Sequence, residues 1–301
     1  MSDLVVSAPA PLTLNTGPGA LTEATGTFNR QGKVLAVTSG KGGVGKTFFS
    51  ANLAAALAKR GQKVLVLDAD LGLANLDVVL NLYPKTTLHD VFSGKARLED
   101  AITPAPGGFS AILAGSGMVE YSRLNADMRE ELFRIVTRLA QQYDVVLLDT
   151  GAGISDVVLF TISLAHQVLV VATPEPTSLT DAYATIKVLV TQQGRKEIQV
   201  VVNQTARVGD GRAITTQLQQ VLDRFVVNAP VKKSTSGGNS AASAAVNRTI
   251  KLVHLGDIPA DPAVRQAVMR RQLLMQTLPG CQASLAVAQI AGKIEETLLL
   301  A

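Results

Sequence analysis

The octapeptide Gly40-Lys41-Gly42-Gly43-Val44-Gly45-Lys46-Thr47 constrains this chain more than any other stretch. It has the spacing GxxxxGKT, follows the β-branched run Lys33–Ser39 (KVLAVTS), and opens a helix-forming segment, Lys46–Arg60. A strand, a glycine-rich loop and a helix in that order make a cradle for phosphate. Glycines let the backbone curl so that successive N–H groups face one point, and the helix N-terminus adds positive potential there. In such a cradle Lys46 reaches the β- and γ-phosphates of a nucleotide, and the Thr47 hydroxyl ligates Mg²⁺. The expected ligand is ATP with Mg²⁺.

A loop of this kind needs a sheet to stand on, and the rest of the sequence supplies one. Lys63–Asp68 (KVLVLD), Asp144–Asp149 (DVVLLD), Gln167–Ala172 (QVLVVA) and Ile198–Asn203 (IQVVVN) are short, nearly continuous apolar runs. Such runs suit strands buried on both faces of a parallel sheet. Between them lie helical stretches at Asn125–Gln142, Ser155–Ala165, Ser178–Gln193 and Arg212–Arg224. A last strand at Ile250–Gly256 and two closing helices, Pro262–Leu274 and Ser284–Leu300, complete the pattern. The alternation predicts an α/β fold, a doubly wound, mostly parallel sheet flanked by helices with right-handed crossovers. Residues 1–30 read as a flexible arm, rich in Pro, Gly, Ser and Thr, and 31–301 as a single domain with a mobile insert at 232–247.

Composition narrows the class without naming it. With 301 residues and 47% hydrophobic content the chain can bury a sizeable core. A net charge of +4 is too small to argue for nucleic acid or an anionic membrane. The single cysteine, Cys281, excludes an internal disulfide framework and fits a reducing cytoplasm. No signal peptide is evident at Met1–Pro11, and the apolar stretch Val157–Ala172 is broken by Thr161, Ser163, His166 and Gln167. His89, His166 and His254 lack zinc spacing and read as structural. Ser116, in Gly115-Ser116-Gly117, lacks the spacing of a nucleophile elbow.

Carboxylates at strand ends add to the loop. Asp149 closes its strand as a Walker B aspartate does and is placed to hold Mg²⁺ through water, with Gly151-Ala152-Gly153 behind it as a flexible switch. Asp68-Ala69-Asp70-Leu71-Gly72-Leu73-Ala74-Asn75-Leu76-Asp77 follows another strand, at the edge where open α/β sheets bind ligands.

The second lysine in KGGVGKT, Lys41, resembles the deviant Walker A motif of the MinD/ParA ATPases. Within that group DADLGLANLDVVL (Asp68–Leu80), DTGAGISD (Asp149–Asp156) and PEPTSLTDAYATIK (Pro174–Lys187) are most similar to the flagellar number regulators of the FlhG/FleN family. The resemblance runs from about Lys33 to Leu298. It implies a slow ATPase that works as an ATP-dependent homodimer and regulates flagellar number, placement and biosynthesis. Lys41, Lys46 and Asp70 would be the catalytic set, with Lys41 reaching the partner's nucleotide and Asp70 orienting the attacking water. Asp68 would join Thr47 and Asp149 around Mg²⁺. Gly40 to Thr47, Phe48, Asn203 and Pro259 would bind the nucleotide, Asn203 reading the adenine and Pro259 bordering it. Implied partners are a signal-recognition-type GTPase, a flagellar transcription activator or basal-body components. The implied place is the cytoplasm, with peripheral attachment at the inner face of the membrane left open.

Two features depart from that pattern. Residues 1–30 lack the short Asp-Gln helical motif through which family members stimulate the GTPase. The last helix carries Lys293, Glu295 and Glu296, not a cationic face, so core packing is favoured over lipid binding. Arg265, Arg270 and Arg271, with Lys232 and Lys233, leave a DNA- or cargo-positioning ParA-like role as the alternative, and nucleic acid as the less favoured partner. A ligase of the same fold stays open, whereas a lone cysteine is too few for an iron–sulfur reductase.

Overall fold

The computed structural model describes residues 32–115, 124–207, 209–227 and 249–299. The arm 1–30, the insert 232–247 and Ser116 lie outside the described residues. Along the chain, β1 (Lys33–Ser39), α1 (Lys46–Lys59) and β2 (Val64–Ala69) come first. Next are α2 (Leu76–Leu80), α3 (Leu88–Phe92), α4 (Leu98–Ala101), β3 (Thr103–Pro104), β4 (Ser110–Ile112) and α5 (Ala126–Gln142). Then follow β5 (Val145–Ala152), α6 (Asp156–Ser163), β6 (Gln167–Ala172), α7 (Pro176–Gln193), β7 (Glu197–Thr205) and α8 (Asp210–Leu222). The chain closes with β8 (Lys251–Pro259), α9 (Pro262–Met269), α10 (Leu274–Thr277) and α11 (Gln282–Ile294).

These strands form one sheet in the order β3-β4-β2-β5-β1-β6-β7-β8, parallel except where the short β3 runs against β4 at the edge. Alternation explains how each strand is buried twice. Val34 and Ala36 join one core layer, while Leu35 and Val37 join the other, and β2, β5 and β6 divide in the same way. The first layer is covered by α3 to α8 and the second by α1, α2 and α9 to α11. In α5 the buried residues Leu132, Ile135, Val136, Leu139 and Ala140 recur at helical spacing, so one stripe meets the sheet and charged residues face out. The Asn125 side chain caps that helix by accepting the Met128 N–H.

Several expected boundaries shift for local reasons. α7 begins at Pro176, whose fixed φ suits the first helical turn and whose missing N–H is not needed there. The stretch expected as one helix, 262–274, breaks in two because Arg271 adopts a left-handed φ of 52°. β5 continues to Ala152, so Thr150 and Gly151 are strand residues and not part of a free switch. The region 76–112, without strong periodicity, forms three short helices and the β3–β4 edge. The last helix, α11, buries Val287, Ile290, Ala291 and Ile294 against α1 and β8, in keeping with a core-packing role. Among the described residues no helix is long and apolar enough to cross a membrane.

Candidate functional site: a phosphate cradle with two buried acids

The cradle forms where β1 ends. Gly40 cannot be replaced by a larger residue, because an added Cβ would run into the backbone of Asp181 in α7. Gly45 sits at φ 92° immediately before α1, and a Cβ there would come within 2.5 Å of Asn203 Nδ2. Past Gly45 the chain turns into α1, whose first N–H groups have no helical acceptor and face the cavity. That cavity, about 670 Å³, is lined by Gly42, Gly43, Lys46, Thr47, Asp70 and Gly151. A second cavity of about 500 Å³ is bordered by Asn203, Gln204, Pro259, Val264 and Arg265. Gly45, Phe48 and Val268 line both cavities, so the two adjoin.

Strand register brings the acids together. In the β2–β5 ladder Asp68 pairs directly with Asp149, so two carboxylates stand side by side at the carboxyl edge of the sheet, both essentially buried. Asp149 Oδ1 lies 3.6 Å from Lys46 Nζ and 3.0 Å from Ser50 Oγ, while Oδ2 is buried without a partner among the described residues. Asp68 accepts N–H groups from Asp70 at 3.2 Å and Leu76 at 3.3 Å. Burial pushes the Asp68 carboxyl well above the ordinary range, and the adjacent Asp149 charge adds to it, against the pull of those two N–H donors. Burial also raises Asp149, opposed by the Lys46 charge and by the Thr47 and Ser50 hydroxyls. Two buried acids with raised pKa values, one of them with an orphaned oxygen and a threonine hydroxyl beside it, fit a divalent cation.

A consequence for pH follows. The folded-state pKa of each acid is raised, so their contribution to stability is present below the unfolded carboxylate value, about 3.9, and is lost as pH rises through the folded value. A bound cation reverses this by favouring the charged forms. The Mg²⁺-dependent part of the Tm gain with ATP, measured against ATP with chelator, should therefore grow as pH rises above the ordinary carboxylate value, about 3.9. A flat or falling trend in scanning fluorimetry would contradict the placement of the cation between these acids.

The remaining expected residues fall as follows. Asp70 lies on the cavity wall next to Gly151; a Cβ built on that glycine would be 3.2 Å from Asp70 Oδ1. Asn203 donates from Nδ2 to the Val44 carbonyl at 2.8 Å and accepts the Gln204 N–H at 2.9 Å. Its amide thus ties the loop to β7 and keeps one N–H and one lone pair for a base. Pro259 ends β8 opposite Thr205. Lys41 does not line the phosphate cavity; it donates to Glu175 Oε2 at 2.8 Å and Thr177 Oγ1 at 2.9 Å. Sequence reasoning missed Ser50, although its place one turn after Lys46 on α1 aims it at the same carboxylate. It also missed Glu175 and Thr177, which lie in a segment that carried resemblance but no assigned role.

A larger groove, about 800 Å³, opens at the other end of β6 and β7. Two of its polar side chains have structural partners: Arg195 donates to the Ile162, Ala165 and His166 carbonyls, and His166 Nδ1 accepts the Val34 N–H.

The family model described as an AAA domain matches residues 32–201. The chain is 39% identical to the antiactivator FleN of Pseudomonas aeruginosa over 87% of this chain and 86% of that one. It is 32% identical to the flagellum site-determining protein YlxH of Helicobacter pylori, over 90% and 85% of the two chains. Among solved structures it is similar to the cell division ATPase MinD of Pyrococcus furiosus, with a TM-score of 0.64 and 28% identity over 88% of this chain and 99% of the other. The septum site-determining protein MinD of Pyrococcus horikoshii, complexed with Mg-ADP, superimposes with a TM-score of 0.65 at 26% identity, covering 88% and 96%.

Proposed function

This chain belongs to the MinD/ParA-type ATPases of the FlhG/FleN family, and we propose that it is a dimerising ATP switch that regulates flagellar number and placement. It is an ATPase that uses Mg²⁺. The observation that carries the dimer reading is the direction of Lys41. It does not line its own phosphate cavity and is held by Glu175 and Thr177 at the start of α7, two exposed contacts that the phosphates of a nucleotide in a second copy would displace. The Lys41–Glu175 pair is exposed, so its contribution is at most about 1 kcal/mol and is readily exchanged for phosphate.

In this reading Gly40 to Thr47 and Lys46 hold the phosphates, and Phe48, Asn203 and Pro259 hold the nucleoside. Thr47, Asp68 and Asp149 would hold Mg²⁺, which would supply charge neutralisation for the phosphates. Asp70 orients water for in-line attack on the γ-phosphate, giving ADP and phosphate. Catalysis rests on positioning and charge, so turnover is slow and suits timing. Residues 31–301 act as one ATPase domain. The partner is a flagellar protein, with the transcription activator favoured because one relative is named an antiactivator.

Lys41→Ala tests this directly. The variant should bind ATP within a few-fold of wild type but stay monomeric with ATP in multi-angle light scattering. Cells carrying it should show the flagellar count of a deletion strain. A dimer that forms as before would overturn the role given to Lys41.

A further inference from the structure

Apolar side chains of α2, α9 and the segments after them stand exposed, and one of them, Val268, lines the nucleotide cavity. Met269 and Tyr83 are 78% and 80% exposed, and Val78 and Val268 are nearly half exposed. They come from two elements, the end of α9 and the segment in and after α2, which are joined by a contact of 3.4 Å from Arg271 Nη1 to Tyr83 Oη. Arg270 and Arg271 are exposed beside them, and neither has a carboxylate within ion-pair distance among the described residues. The left-handed turn at Arg271 ends α9 here; the Arg270 guanidinium lies 3.1 Å from the Gln266 side-chain amide, and both arginines are exposed. Methionine, tyrosine and arginine around a small apolar centre is the composition of a protein interface core and its rim.

The surface is also wired to the nucleotide. Val79 of α2 and Val268 of α9 line the phosphate cavity from either side. The first N–H of α2, from Leu76, is held by Asp68, one of the two acids placed for Mg²⁺. A change of ligand at Asp68 is therefore passed to α2 through one hydrogen bond.

We propose that this face is a docking surface for an acidic amphipathic helix of a partner protein, presented according to the nucleotide state. The inference deepens the switch reading and rests on it. Apolar side chains of such a helix cover Val78, Tyr83, Val268 and Met269, and its carboxylates, one turn away, meet Arg270 and Arg271. A second copy is a poorer occupant, because a two-fold axis through the patch would set these arginines against each other.

The test uses the full chain with Mg²⁺ and a non-hydrolysable ATP analogue. The probe is a fluorescein-labelled 18-residue helix with leucines on one face and glutamates flanking them, followed by anisotropy. Binding should weaken about ten-fold or more in the Arg270→Glu/Arg271→Glu variant, and it should fall with salt. A lysine-flanked version of the helix should then prefer the variant. Binding should also be weaker with ADP than with the analogue. Unchanged binding in the variant, or equal binding with both nucleotides, would overturn the proposal. So would loss of sedimentation with phosphatidylglycerol vesicles, or of duplex DNA binding, in the variant while the peptide fails to bind the wild type. Dimerisation is measured alongside: a wild-type chain that stays monomeric sinks the switch reading, whereas an intact dimer that ignores the peptide sinks only the docking surface.

Discussion

Lys46→Ala should weaken ATP binding by about 100-fold or more and leave no measurable hydrolysis. The ammonium is buried, 3.6 Å from Asp149 Oδ1, and is the cation that partly offsets the two adjacent acids. Without it, any polyphosphate entering the cradle meets Asp68 and Asp149 uncompensated. Breaking a buried ion pair by removing one partner costs about 3–5 kcal/mol, which corresponds to roughly 150-fold to several thousand-fold in affinity. Folding itself should suffer less than that figure suggests. Asp149 already has a raised pKa, and loss of the Lys46 charge raises it further, so the acid escapes its isolation by taking up a proton. The variant's Tm deficit should therefore shrink as pH falls. Titration with a fluorescent ATP analogue and melting curves across pH check both halves. ATP binding within about three-fold of wild type, a change of less than about 0.7 kcal/mol, would contradict the assigned role.

The loop, the sheet and the acids were legible because each leaves a local signal. A strand–GxxxxGKT–helix sequence has one structural outcome, and β1 spans the expected Lys33–Ser39 without a shift. Asp68 and Asp149 were visible as strand ends, but their direct pairing depends on the β2–β5 register, which no single segment encodes. The reach of Lys41 to Glu175 spans 134 residues, and that of Asn203 to Val44 spans 159. Contacts at such separation come from the crossovers that set β6 beside β1 and β7 beside β6, not from spacing in the sequence. The poorly read region, 76–112, is built from helices of five residues or fewer and a two-residue edge strand, too short to display a period. The exposed end of α9 was read only as scattered arginines, because what makes it a surface is Tyr83, 188 residues earlier in the chain.

Asp70→Ala should leave ATP binding intact, slow hydrolysis by about 10²–10⁴-fold and hold the chain as an ATP-bound dimer. Asp70 stands on the cavity wall at the meeting of two segments: its N–H is anchored on Asp68 and its carboxylate faces Gly151. The carboxylate makes no ion pair among the described residues, so its removal takes away no contact that supports the fold. Its charge also acts on the cation site, since Asp70 raises the pKa of both Asp68 and Asp149. Taking that charge away lets the two acids ionise more easily, so Mg²⁺·ATP should bind as well as before or slightly better. Weakened hydrolysis with undiminished affinity separates a group that positions water from one that holds metal, because loss of Asp149 should lower both. If ATP is what closes the dimer and hydrolysis is what opens it, the dimer lifetime must lengthen in proportion to the fall in turnover. Light scattering on the ATP-loaded variant, paired with phosphate release, measures the two together. A variant that hydrolyses slowly yet stays monomeric would separate ATP chemistry from dimerisation and overturn the switch mechanism.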